Sequence, residues 1–163
     1  MVELEPNLLV VNISDMKISD NPDDVVVTYS LGSCLGVTAY DPEVRVGGLI
    51  HCLLPRASAA REKAKQNPYM FVTTGVPLMV RKLIQKGAEV RRLIFKAAGG
   101  ANMRNDDMFL TGQRNFEALL RLLDRNNITL AASAVGNSIP RSMFLHIDTG
   151  RVFIKSLGQE SEL

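Results

Sequence analysis

The sequence predicts a layered α/β domain, with mixed β-sheets and two main helices on the outside. Three observations lead there. Short runs rich in β-branched and aromatic residues recur along the chain and outnumber the stretches with helical spacing. Only two stretches, 69–86 and 113–126, place apolar residues at helical intervals. The length of 163 residues suits a single domain, 1–163, with a sizeable core and with flexible tails at 1–7 and 157–163. A surplus of strands leaves sheet faces to be covered, and two helices can cover them.

Taken in order, the apolar run 8–13 predicts a first strand, and the Ser-Asp-Asn-Pro-Asp-Asp cluster at 19–24 a turn. Val25, Val26 and Val27 open a second strand over 25–29, followed by a turn at 30–33. A strand over 35–40, a turn at Asp41-Pro42-Glu43 and a strand over 46–53 suggest a hairpin. Residues 55–67 read as a polar loop. In the first helical stretch Val72, Val76, Met79, Val80, Leu83 and Ile84 share a face, Pro68 suits the first position and Gly87 the C-terminal cap. Pro77 should kink this helix or delay its start. A strand over 89–97 precedes a long loop, 98–108, and long loops in compact domains are often functional. The second helix puts Phe116, Leu119, Leu120 and Leu123 on one face. Strands follow over 128–134, 142–148 and 151–156, the last two forming a hairpin around Asp148-Thr149-Gly150.

Composition narrows the function. Hydrophobic residues make up 46% and charged residues 22%, ordinary values for a globular protein. A net charge of +2 gives no reason to expect nucleic acid or an anionic membrane as partner. Arg56, Arg61, Lys63 and Lys65 form a basic run that Glu62 interrupts; it reads as a solvated loop face, with steering of an acidic partner as the sharper alternative. Two cysteines, Cys34 and Cys52, are too few for a disulfide framework and point to a reducing compartment. The acidic N-terminus with Pro6 is no signal peptide, and no apolar run approaches the roughly 20 residues of a membrane span. The expected location is the cytoplasm.

The chemistry centres on Thr28-Tyr29-Ser30-Leu31-Gly32-Ser33-Cys34-Leu35-Gly36 and on His51. A strand delivers the chain to a cysteine bracketed by glycines, which allow a sharp turn and close approach of a ligand. Backbone N–H groups at such a turn favour the thiolate and can hold an oxyanion. A second strand carries His51 and Cys52, whose side chains must point to opposite faces. One of the two looks at Cys34 and the other into a core. Cysteine beside histidine is the nucleophile–base arrangement of a cysteine hydrolase. A nucleophile elbow with His146 as base fits poorly, because a β-prone run follows the turn where an elbow opens a helix. A zinc site from Cys34, His51, Cys52 and His146 lacks paired ligand spacing.

The motif Thr-x-x-x-Gly-Ser-Cys-x-Gly-Val, with Tyr40-Asp41-Pro42, Gly47-Gly48, His51 and Leu54-Pro55, resembles the CheD family of chemoreceptor glutamine deamidases. Agreement continues at Gly87-Ala88, at Ala98-Gly99-Gly100-Ala101 with Met103, at Gly112-x-Arg114-Asn115 and at Thr149-Gly150. The resemblance implies a β-sandwich flanked by helices, similar to toxin-type cysteine deamidases. It implies Cys34 as nucleophile, His51 as base and Thr28 as the third member of a triad. Thr28 would otherwise be an ordinary strand residue, and Cys52 becomes a packing residue. Gly32 and Ser33 fall at the oxyanion site, and Gly99 and Gly100 in a loop lining it. Arg114 and Asn115 are left without a chemical role.

Two segments depart from the family pattern. Tyr29-Ser30 stands where the family has an apolar residue and glycine, and 135–141 replaces a Gly-Gly-Asn-type loop. The implied activity converts receptor glutamines to glutamates without metal or organic cofactor. The implied substrates are chemoreceptor cytoplasmic helices, and the implied partner is a CheC-type phosphatase. The runner-up function is a binding module that docks to and regulates that phosphatase.

Overall fold

The computed structural model describes residues 4–58, 60–104 and 110–163. Two five-stranded sheets and three helices make a mixed α/β architecture. Part of the expected 98–108 loop, and residues 1–3 of the expected N-terminal tail, lie outside the described residues.

The outer sheet has the order β1-β3-β8-β9-β10. Its strands are β1 (Asn7–Val10), β3 (Asp24–Leu31), β8 (Arg141–His146), β9 (Val152–Ser156) and β10 (Gln159–Glu162). The inner sheet has the order β2-β5-β4-β6-β7. It contains β2 (Asp15–Ser19), β4 (Leu35–Asp41), β5 (Val46–Cys52), β6 (Ile94–Gly99) and β7 (Ala132–Val135). The inner sheet is buried on both faces. On one side Leu49 and Ala98 join Val26, Leu31, Met143, Leu145 and Ile154 of the outer sheet in a common core. On the other, Val37, Ile50, Cys52 and Phe95 pack with Val72, Met79 and Leu83 of α2 (Val72–Gln85) and Leu119 and Leu123 of α3 (Thr111–Arg125). β4 and β5 are wholly buried, as strands covered on both faces must be.

Both expected hairpins form: β4 pairs antiparallel with β5, and β8 with β9. Below Asp41-Pro42-Glu43, the buried Asp41 carboxylate accepts from Glu89 N–H at 3.0 Å and Arg92 Nε at 2.9 Å. Burial pushes its pKa up, but these donors and Glu43 N–H outweigh it and hold the carboxyl below its ordinary value.

Several expectations need correction. β2 occupies residues before the expected 19–24 turn, and the short helix α1 (Arg61–Gln66) interrupts the expected polar loop; α1 buries no residue, so no apolar periodicity announces it. The first long helix starts late: Pro68–Met70 is a single 3-10 turn, Phe71 is extended, and α2 follows with Pro77 inside it. Leu120 and Ile84, assigned to buried faces, are exposed; α3 instead buries Gly112, Asn115, Ala118, Leu119 and Leu123. The stretch 157–163, expected as a tail, folds back as β10 against β9, with Arg151 Nη2 paired to Glu162 Oε2 at 2.8 Å. The four residues of β10 itself are polar and exposed, so the alternation that marks a half-buried strand is missing.

Candidate active site

Thr28 and His51 come from different sheets and meet in the core between them. Thr28 lies in β3, His51 in β5, and both are buried, at 0% and 2% exposure. Thr28 Oγ1 is 2.7 Å from His51 Nδ1 and 2.7 Å from the carbonyl oxygen of Val11. Val11 O can only accept, so the single threonine hydroxyl hydrogen goes to it. The threonine oxygen must then accept from His51, which fixes the proton on Nδ1. His51 Nε2 is thereby left with its lone pair free, and it is buried with no partner among the described residues.

Cys34 sits between β3 and β4, one residue ahead of the β4–β5 ladder, in which Leu35 faces Cys52 and Gly36 faces His51. Strand alternation puts Cys34, Gly36 and His51 on the face turned to the outer sheet and Cys52 on the face turned to the helices. The two cores agree: Cys34 belongs to the inter-sheet cluster and Cys52 to the helix-side cluster. The facing expected from sequence is therefore observed, with the histidine rather than Cys52 turned toward the Cys34 side.

The electrostatics differ from the sequence expectation of a favoured thiolate. Burial pushes the Cys34 thiol above its ordinary pKa, and the N–H of Cys34 itself, which lies beside the sulfur, offsets this only in part. Burial lowers His51 to about 4, so its imidazole is neutral near pH 7. Thiol and imidazole are both uncharged near neutral pH. Cys52 is pushed up still further by complete burial.

The turn before the sulfur is held by its carbonyls. Gly32 O accepts from Ala101 N–H at 2.9 Å, Ser33 O from Asn115 Nδ2 at 2.9 Å and Cys34 O from Gly100 N–H at 2.8 Å. In a trans peptide the carbonyl and the next N–H point in opposite directions. Tying down the oxygens of Gly32 and Ser33 thus turns the N–H groups of Ser33 and Cys34 away from the loop and helix that hold them. Gly99 is required by contact as well as by backbone: its φ is +100°, and a Cβ there would lie 2.3 Å from Cys34 O. Gly36 serves packing rather than the turn, because a Cβ would lie 2.9 Å from Leu31 Cδ1. The left-handed residue of the turn is Ser30, at φ +57°. It lies in a bulge where Thr28 pairs with Met143 and Leu31 with Arg141. An open cavity of about 300 Å³ adjoins the turn, lined by Ser33, Ala101, Asn102, Met103, Arg104 and Thr111.

Asn115 is one of the two residues, with Arg114, to which the sequence assigned no role. Its signal was a polar side chain on the buried stripe of a helix. His146 pairs with Val25 on the strand of Thr28, but strand alternation turns its ring to the opposite sheet face from Thr28, where it stacks edge-on with Phe153 at 5.2 Å.

Residues 53–156 match the family model described as CheD chemotactic sensory transduction. The matched span begins after His51, so the three buried residues rest on their geometry. Longer alignments relate the chain to a probable chemoreceptor glutamine deamidase CheD 1 of Syntrophus aciditrophicus (strain SB), 42% identical over 151 residues, covering 92% of this chain and 94% of the relative. A probable chemoreceptor glutamine deamidase CheD of Solibacter usitatus (strain Ellin6076) is 39% identical over 95% of this chain and 92% of its own length. Another, of Symbiobacterium thermophilum, is 40% identical over 94% and 95%.

Proposed function

The chain belongs to the CheD family, and from that premise we propose that it is a hydrolase converting glutamine side chains of chemoreceptors to glutamate, with Cys34 as nucleophile, His51 as base and Thr28 orienting the base. The observation that carries the residue roles is the hydrogen bonding of Thr28 to both Val11 O and His51 Nδ1. It leaves Nε2 as an unoccupied acceptor on the face of the sheet that Cys34 shares.

The reaction follows from that tautomer. His51 Nε2 takes the thiol proton as the sulfur attacks the carboxamide carbon. The carbon–oxygen π pair moves to oxygen, and the N–H groups of Ser33 and Cys34 act as the donors that receive the oxyanion. The imidazolium returns its proton to the departing nitrogen, and ammonia leaves a thioester on Cys34. Water gives a proton to His51 and attacks the thioester carbon. Collapse breaks the carbon–sulfur bond, restores the thiol and leaves glutamate. Thr28 brings no negative charge, so it stabilises the imidazolium less than aspartate would and acts by fixing the ring. The cavity beside Ser33 offers room for a side chain reaching in from a receptor helix. In this reading the protein works in the cytoplasm on receptor helices and has a CheC-type phosphatase as a second partner.

Incubation with a receptor cytoplasmic fragment, followed by mass spectrometry, tests the proposal. Wild type should convert particular glutamines to glutamates. Cys34→Ala should convert none, whereas Cys52→Ala should keep most of the activity. Conversion by a folded Cys34→Ala protein would overturn the assignment.

A further inference from the structure

Asn115 is completely buried on α3, at 0% exposure. Its amide nitrogen donates to Ser33 O at 2.9 Å and to Leu53 O at 3.2 Å. These two carbonyls flank the end of the β4–β5 ladder, close in sequence to Cys34 and His51. Ser33 immediately precedes Cys34, and Leu53 lies two residues beyond His51, just past the end of β5. The β4–β5 ladder ends at Leu35 and Cys52. Beyond that point Asn115 supplies the link that a further rung would have made.

The Ser33 contact has a second consequence. Ser33 C=O and Cys34 N–H belong to one rigid peptide plane. Holding the oxygen on the helix side fixes the direction of the N–H that lies beside the sulfur. The helix is seated for this purpose by direct backbone contact: a Cβ at Gly112 would lie 2.4 Å from Ala101 O. Asn115 Oδ1, meanwhile, is buried with no partner among the described residues. Leaving a buried acceptor unpaired costs stability. The hydrogen bonds this side chain makes to the turn and to the segment after β5 both run through its amide nitrogen.

We propose that Asn115 is a positioning residue, one that locks the Ser33–Cys34 peptide in the orientation needed to stabilise the oxyanion and ties it to the strand of His51. Its part in the reaction rests on the deamidase reading above. Its effect on the Cys34 turn does not.

The test uses the full chain with Asn115→Leu and Asn115→Asp, neither of which can donate to both carbonyls, and Leu123→Ala as a destabilised control from the same helix. Iodoacetamide labelling of Cys34 and Cys52 is followed beside receptor deamidation. Without the clamp the turn loosens, so Cys34 should label several-fold faster while Cys52 stays protected. Deamidation kcat should fall by roughly 10- to 100-fold with KM little changed, the usual scale for a misplaced catalytic group. Leu123→Ala should lose stability without this signature. Wild-type labelling and turnover in either Asn115 variant would overturn the proposal. So would Cys52 labelling that rises in step with Cys34, which would make Asn115 a purely structural residue. If Cys34 alone responds but no protein, wild type included, deamidates the fragment, the clamp stands and the deamidase reading fails.

Discussion

Thr28 Oγ1 and His51 Nδ1 lie 2.7 Å apart although their strands, β3 and β5, belong to different sheets and never pair. The bond is therefore a tertiary contact that closes only when the two sheets stack. It selects the imidazole tautomer that can accept a thiol proton. Thr28→Val keeps the β-branched shape and deletes the oxygen. The ring can then carry its proton on Nε2, the wrong nitrogen for a base. Deamidation kcat should fall roughly 10- to 100-fold with KM little changed, and stability by about 1–3 kcal/mol for the unpaired buried groups. Full activity in a folded Thr28→Val protein would remove threonine from the mechanism. Nitrogen NMR of the His51 ring would report the tautomer directly.

Local pattern made the centre of the inner sheet legible. The valine run, the Asp-Pro turn and the glycines around Cys34 mark β3 and β4, and an alternation of two is enough to separate His51 from Cys52. What stayed hidden depends on packing between distant segments. The Cys34 N–H could be anticipated from the turn, but not the desolvation that outweighs it, which arises when the second sheet covers the sulfur. Asn115 is 81 residues from Cys34 in the chain, and nothing near it in sequence announces the Ser33 and Leu53 carbonyls as its partners. β10 and α1 carry almost no apolar signal, and their positions follow from the neighbours they pair with or cap.

Ser30 offers a test of the bulge beside the nucleophile. At φ +57° a serine pays for its Cβ, whereas glycine would not. Its side chain is not needed for the one bond recorded there, since it is Ser30 N–H that donates to Ser142 Oγ at 3.4 Å. Ser30→Gly should therefore leave the turn unchanged. The relief of strain is partly offset by the greater freedom of glycine in the unfolded chain, so the net gain should be about 0.5–1 kcal/mol. Urea unfolding measures it. A loss of stability would show that the serine side chain holds the bulge.

Acid should destabilise the protein through His51. Its folded pKa is about 4 against an ordinary 6.5. Between these values the unfolded chain binds a proton that the folded chain refuses. The contribution to stability is thus complete above about pH 6.5 and drains away as pH falls toward 4, by on the order of 3 kcal/mol in all. His51→Gln should flatten the pH dependence of unfolding across that window, whatever its absolute stability. An unchanged slope would mean that the folded imidazole titrates normally.

The same shifts predict how activity and thiol reactivity respond to pH, and here the neutral pair differs from a thiolate–imidazolium pair. With Cys34 raised and His51 lowered, no ion pair forms at rest. In the proposed mechanism each turnover begins with proton transfer from sulfur to Nε2 as the carboxamide is attacked. The base is available once pH exceeds the His51 pKa, so the acid limb of kcat/KM should fall near pH 4, well below the usual histidine range. The thiol stays protonated until pH passes its raised pKa, so the plateau should extend from about pH 5 into the alkaline range. Iodoacetamide, which needs the thiolate and receives no help from bound substrate, should behave differently. Its rate at Cys34 should be low at pH 7 and climb through pH 9 without a shoulder at acid pH. An ion pair would reverse this: labelling would already be near its maximum at pH 6, and kcat/KM would rise through a pKa belonging to the pair. His51→Gln separates the two cases further. It should abolish turnover yet leave the alkaline rise of alkylation close to wild type, because the thiol that ionises there loses its proton to solvent and does not depend on a base.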